Sequence, residues 1–588
     1  MNRNSQAHFA NLPGIKIGRS KFDRSFTNKT TFNAADLVPV YVDMDIVPGD
    51  TVTMRQSEII RMMTPITPVM DNAYLDFYWF FVPNRLIWND FKKFMGENET
   101  APWTQLQDIQ IPQITINNGA KNTIDGTDYL TRIPEIGSVL EKMGIPPIGD
   151  NWTYNSTPDK QIQISGLPTR AYCLIWNEFF RDENLQNPVN ISKSSSNQTL
   201  LNTKYSSYIS DPDAAIVSYE QCGGFPPLKV CKPFDYFTGC LPGAQKGPAV
   251  TLPMNGEAPI AVGQMWDNDT QKWKDTDLTG TDITAGADIS SLTHTDTWYY
   301  GEIDKTTGKP LALNSDDWIN LYPDSKLVAD LSRATGATIT QLRQAFAIQK
   351  FYERDARGGT RYIESVKSHF GVQNPDYRLQ RPEYLGGFRH NINMNQVIQS
   401  TPTVEDSTPL GTTGAYSVTS NKNNDVFTKS FTEHGILMGL CCIRTDHTYQ
   451  QGINRSWFKK KRLDFYSPEF ANLSEQAVLV KEIYAQGTSD DDAAFGYQEA
   501  WAEMRYMPDM ITGEMRSQYA QSLDIWHYGD YYESKPELGD KWIQETKSNI
   551  ERTLAVQDHD QFMADFYFGA IYTRPMPLYS IPGLIDHH

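Results

Sequence analysis

Strand-like segments occupy the two ends of this 588-residue chain and helix-like segments its middle, and that division limits the possible folds more than any single motif. Near the N-terminus Val42, Met44 and Ile46 alternate with Tyr41, Asp43 and Asp45, and Pro48-Gly49-Asp50 then supplies turn chemistry. The spacing predicts a half-buried strand, a tight turn and a second strand. The run AYLDFYWFFV (73–82) is apolar on both alternating faces apart from Asp76, which suits a strand covered on both sides at the centre of a sandwich. Near the other end HGILMGLCCI (434–443), QAVLVKEIYA (476–485) and FMADFYFGAIYT (562–573) have the β-branched and aromatic enrichment of a pleated surface. These are the expected partner strands if the two ends meet.

Between the ends, several helices have readable limits. Asn84 can cap a helix carrying Ile87, Phe91, Phe94 and Met95, with Gly96 closing it. Pro134 can open another that ends at Gly144, and a third begins near Pro168. Thr338 and Gln341 match a capping box for a helix that runs to Gly358-Gly359. Its off-stripe Ile348 and Phe351 predict packing on more than one side. Residues 186–212 are rich in Asn and Ser, while 254–310 hold ten acids, four cations and Trp266, Trp273 and Trp298. Tryptophan argues against disorder, so 254–310 is expected to be a folded, exposed insertion. One sheet supplied by both ends of the chain is the pattern of a mainly β jelly roll with long helix- and loop-containing insertions. Two β domains flanking a helical one is the competing arrangement.

Charge and motifs narrow the function. The net charge of −18 argues against polyanion binding over the whole surface and leaves only local patches. No stretch approaches the roughly 18 apolar residues of a spanning helix, and the start lacks a signal peptide's apolar core, so synthesis and residence in a cytoplasm are expected. Cys173, Cys222, Cys231, Cys240, Cys441 and Cys442 form no C-x-x-C framework and are expected to be reduced and packed. No nucleophile elbow, H-E-x-x-H, P-loop or G-x-G-x-x-G is present. The scattered histidines and the Asp-x-Asp pairs at 43/45, 267/269 and 275/277 do not amount to a ligand set, so no catalytic residue, metal or cofactor is expected. Asp43, Asp45, Glu58 and Asp76 leave one enzymatic alternative, a glycan-active β-sandwich hydrolase working through a carboxylate pair.

Basic clusters stand out against the acidic whole. Residues 1–30 hold Arg3, Lys16, Arg19, Lys21, Arg24 and Lys29 against the single acid Asp23, interleaved with Phe22 and Phe26. Lys459, Lys460, Lys461 and Arg462 follow Arg455 and Trp457. Cations neutralise phosphates and rings stack on unpaired bases, so both clusters are candidates for single-stranded DNA; a solvated surface or a subunit contact is the plainer reading. Arg354, Arg357 and Arg361, around Gly358-Gly359, are expected to make ion pairs at the turn or between subunits.

Long strings across the chain carry a resemblance. They include GIKIGRSKFDRSF (14–26), TPVMDNAYLDFYWFFVPNRL (67–86), GLPTRAYCLIWNEFFRD (166–182), DYFTGCLPGAQKGPAVTLP (235–253), FTEHGILMGLCCIRTDHTYQQG (431–452) and ITGEMRSQYAQSLDIWH (511–527). They resemble the capsid proteins of the gokushovirus branch of the Microviridae, small single-stranded DNA bacteriophages. The resemblance implies an eight-stranded jelly roll, with strands mainly from 35–82 and 425–575 and insertions over 83–425. It also implies a sixty-copy T=1 shell around circular single-stranded DNA, assembled in a bacterial cytoplasm with other phage structural proteins. Residues 1–34 would be an inner arm against the genome. Residues 254–310, where the match fails, would be a protrusion bearing the three tryptophans toward a bacterial receptor.

Overall fold

The computed structural model describes residues 18–97, 109–116, 162–199, 226–248, 419–471 and 473–579, parts of 121–146 and of 339–398, residues 413–416, and short strands between 260 and 329. Two antiparallel sheets form its centre. Nine strands build them: β1 (Ser20–Asp23), β2 (Phe26–Phe32), β3 (Val38–Ile46), β4 (Thr51–Met62), β5 (Ala73–Pro83), β6 (Glu383–Asn391), β7 (Thr419–Ser430), β8 (Gly435–Thr445) and β9 (Phe562–Arg574). In the first sheet β1 and β2 lie one after the other along β9, followed by β4 and β7; in the second the order is β6, β5, β8, β3. The two ends of the chain therefore do meet in one sheet, and β4 pairs with β9 over its whole length from Thr51↔Thr573 to Met62↔Phe562.

Side-chain alternation explains how the sheets close on each other. Along β4 every even residue from Val52 to Met62 is buried and the odd ones face outward. On β9 Phe562, Phe566, Phe568 and Tyr572 point the same way. They meet Phe77 and Trp79 of β5, with ring centres 5.9 Å apart for Phe77–Phe566 and 5.7 Å for Trp79–Phe568. The doubly apolar run of β5 is covered on both sides as its sequence requires. Leu75, Phe77, Trp79 and Phe81 enter the core between the sheets, while Phe80 and Val82 enter a second cluster. That second cluster is completed by β8 and by helix α1 (Leu167–Ile175), which has Pro168 in its first turn and continues as a π-helical segment, Trp176–Phe180. Tyr172 of α1 donates to the Leu37 carbonyl at 2.8 Å and accepts from Leu228 N–H at 2.9 Å, fixing the helix to the sheet.

Two strand expectations are corrected. In β3 the alternation predicts Met44 inside and Asp43 outside, yet Met44 is 52% exposed and Asp43 is buried. Tyr41 pairs with Gly439, where a side chain would crowd the Tyr41 Cβ at 3.0 Å and the Phe77 ring at 3.2 Å, and the register to β8 shifts on both sides of this point. Tyr41 and Asp43 thereby turn inward. The Pro48-Gly49-Asp50 turn, with Gly49 at φ 92°, is a corner that sends β3 and β4 into different sheets. The segment 476–485 does not join either sheet: Glu475–Leu479 pairs with Ala494–Glu499 as a separate ribbon, and Val480–Ile483 is helical.

Helix limits also differ. The helix predicted from Pro134 spans only Val139–Lys142, capped by Ser138, whose hydroxyl accepts from Glu141 N–H, while Gly144 takes the expected left-handed conformation. The helix of the capping box covers Ile339–Arg357, with Thr338 outside the described residues. The chain divides into two compact units, residues 1–244 with 356–588, and residues 245–355. Within the second unit the strands Gln264–Asp267, Lys272–Asp275 and Trp298–Tyr299 form one antiparallel sheet, in which Trp266 lies opposite Trp273 and Trp298 opposite Asp267.

Candidate nucleic-acid interface

The basic N-terminal segment is woven into the first sheet from Ser20 onward, and most of its described cations have protein partners. Arg19 donates to the carbonyls of Gly49 and Thr573 and to Thr51 Oγ1 at 2.6 Å. Arg24 reaches the buried Asp43 at 2.7 Å, which also accepts from Tyr572 Oη at 2.6 Å, and Lys29 pairs with Asp565. Lys21 is exposed and has no ion pair among the described residues. Phe22 packs against the core between the sheets; Phe26, 43% exposed, lies 5.4 Å from both Tyr41 and Phe568. Arg3 and Lys16 lie outside the described residues.

The second cluster has a different character. Arg455–Phe458 forms one turn of 3₁₀ helix, and Lys460, Lys461 and Arg462 follow it with exposed side chains that have no ion pair among the described residues. Asp464 accepts the Lys460 and Lys461 N–H groups at 2.8 Å each, and these bonds hold its carboxyl below the usual range. Lys459 Nζ lies 5.6 Å from the Phe465 ring centre. Of the arginines flanking Gly358, Arg354 is exposed, Arg357 pairs with Glu475, and Arg361 binds Glu183 and the carbonyls of Asn177 and Arg181. Arg357 and Arg361 thus make ion pairs within the subunit.

Several buried polar groups find their partners far away in the chain. Asp76 takes both Arg389, at 2.6 Å and 2.8 Å, and Arg444. Burial works to raise its pKa, but the two guanidinium groups outweigh it and the carboxyl stays below the ordinary value. His447 is clamped between Asp530 at 2.7 Å and Glu545 at 3.1 Å. Burial alone would lower the imidazolium pKa; the carboxylates override it and raise it to about 10. Glu58, raised chiefly by burial, meets His390 at 2.5 Å and so ties β4 to β6 across the sandwich. The one signal in the sequence was an acid isolated in an apolar strand, which demands a cation.

These partners remove the carboxylate-pair chemistry. Asp43, Glu58 and Asp76 are taken up by Arg24, His390 and the two arginines, and Asp45 is a solvated side chain 3.8 Å from Arg24. The five described cysteines are free thiols, four of them buried, and burial pushes the Cys442 thiol up to about 12. No group of three metal-ligating side chains occurs among the described residues, and no described helix is long and apolar enough to cross a membrane.

Comparison with known proteins matches residues 10–584 to a family described as capsid protein (F protein). A capsid protein VP1 of Bdellovibrio phage phiMH2K is 39% identical over 587 residues, covering 99% of this chain and 98% of the relative. That of Spiroplasma virus 4 is 38% identical over 590 residues, covering 99% and 98%. That of Chlamydia phage 1 is 36% identical over 619 residues, covering 98% and 97%.

Proposed function

The chain belongs to the capsid protein (F protein) family and is a major capsid protein of a bacteriophage, a structural component of the virion rather than an enzyme, and from that premise we propose how it builds its shell. Sixty copies close a T=1 icosahedron around circular single-stranded DNA, assembled in the bacterial cytoplasm together with other phage structural proteins. The subunit is an eight-stranded jelly roll. The observation that carries this reading is the strand order: with β1 and β2 counted as one interrupted strand, the first sheet runs first, eighth, third, sixth and the second runs second, seventh, fourth, fifth. Each sheet thus interleaves early and late strands, as two Greek keys folded together would.

In this arrangement residues 1–34, an arm that joins the first sheet through β1 and β2, face the genome with Lys21, which has no ion pair among the described residues, toward phosphate, while Lys459–Arg462 adds a second contact. The tryptophan-bearing 254–310 insertion faces outward and meets a bacterial surface receptor. Arg354 is left for a neighbouring copy. Expression of the full chain followed by size-exclusion chromatography and negative-stain microscopy tests the proposal. Uniform particles whose averaged images show icosahedral symmetry with sixty subunits are the expected result. A chain that stays monomeric under all packaging conditions, or particles with the N-terminus on the outside, would overturn it.

A further inference from the structure

The segment Asn454–Tyr466 is fastened at several points and open between them. The Asn454 side chain accepts from Ser456 N–H at 2.9 Å, and Arg455 donates to the Ala477 carbonyl at 2.7 Å and to Glu482 at 2.9 Å. Lys481 Nζ sits 4.4 Å from the Phe458 ring centre, and Tyr466 meets Trp501 edge-on at 5.6 Å. Between these anchors Trp457 is 83% and Phe465 59% exposed. A fixed backbone presenting large rings to solvent has already lost the entropy that binding would otherwise cost.

Two occupants could cover such rings, a second copy of the chain or unpaired nucleobases. Charge favours the bases. Lys460, Lys461 and Arg462 stand beside the rings, and the acid of the turn, Asp464, is taken up by backbone N–H groups. Asp492, which also feels Lys460, is bound by Lys481. Covering three cations that have no ion pair among the described residues with a protein face forfeits their hydration unless an acid stands opposite each one, whereas a phosphate backbone neutralises them along its length and releases counterions. We infer that Trp457 and Phe465 are stacking platforms for unpaired bases of single-stranded nucleic acid, with Lys460, Lys461 and Arg462 holding the phosphates. This rests on the packaging role proposed above and divides its two basic segments: the N-terminal strands are largely committed to protein partners, and the Trp457 turn does the stacking.

The test titrates the full-length protein with a fluorescein-labelled oligo-dT at several salt concentrations and images the same samples by negative stain. Trp457→Ala should weaken binding about tenfold or more while Trp457→Phe stays close to wild type, because stacking needs a ring and not the indole N–H. The triple variant K460A/K461A/R462A should lower the slope of log affinity against log salt by about 2. Should Trp457→Ala fail to fold, the slope of the triple variant decides alone. Unchanged oligo-dT binding in the variants overturns the assignment, and loss of particles with binding intact identifies the turn as a contact between copies. A wild-type chain that never assembles sinks the capsid architecture instead, a result distinguishable from either.

Discussion

Asp76 shows what a single side chain discloses and what it withholds. Its isolation in an apolar strand signals that a cation must reach it, since an unpaired buried carboxylate is too costly to keep. The cations come from positions 313 and 368 residues away, and nothing in the local string names Arg389 and Arg444. His447 was equally opaque: a scattered histidine by sequence, a buried imidazolium between two carboxylates in the structure. That clamp makes stability depend on pH with a definite sign. Because the folded pKa of His447 is raised to about 10, its contribution is complete below the ordinary imidazole value of 6.5 and is lost as pH rises through 10. Asp530 is shifted the other way: burial is outweighed by His447 and Lys232, so its contribution is present above about pH 4 and fades as pH falls. The stability difference between wild type and His447→Gln, followed by urea unfolding, should therefore be largest between about pH 4 and 6.5 and shrink by up to about 1.4 kcal/mol per pH unit toward pH 10. A difference that grows on the alkaline side would contradict the clamp.

Strands were legible where one face meets the core and the other meets water. β4 alternates throughout and β9 does so apart from the buried run Phe568–Ala570, so their strand character shows in the local string. The facing of β3 does not, because it is set by a register shift against β8 and by the close approach at Gly439, features of a partner almost 400 residues distant. The ribbon at 475–479 has strand composition but pairs locally, so composition announced a strand without saying which sheet. The sandwich makes a contrast that unfolding in guanidinium chloride can measure. Trp79→Ala, which empties a fully buried site and leaves the Gln56 side-chain oxygen without its indole donor at 3.2 Å, should cost about 3–5 kcal/mol. Tyr567→Ala on the outward face of β9 should stay within about 0.5 kcal/mol, and equal losses at both sites would mean that β9 is not oriented as described.

Many copies of a chain carrying −18 charges must approach closely in a shell, so their mutual repulsion opposes closure. Raising salt from about 10 mM to 150 mM shortens the screening length from about 30 Å to 8 Å and should speed particle formation in light scattering, whereas retention of oligo-dT should weaken over the same range. Parallel loss of both would place the basic segments between subunits. The amino-acid order alone disclosed strand-forming composition at the two ends, the turn glycines, the apolar interior of β5 and the contrast between an acidic whole and basic patches, because each is a property of neighbouring residues. Which strands pair, that β3 and β4 part at a corner, and that Arg24 answers Asp43 while Lys460–Arg462 find no ion pair among the described residues depend on how distant segments are brought together. Folding decides these by burying the most apolar area that leaves no charge stranded, a condition no local stretch can evaluate.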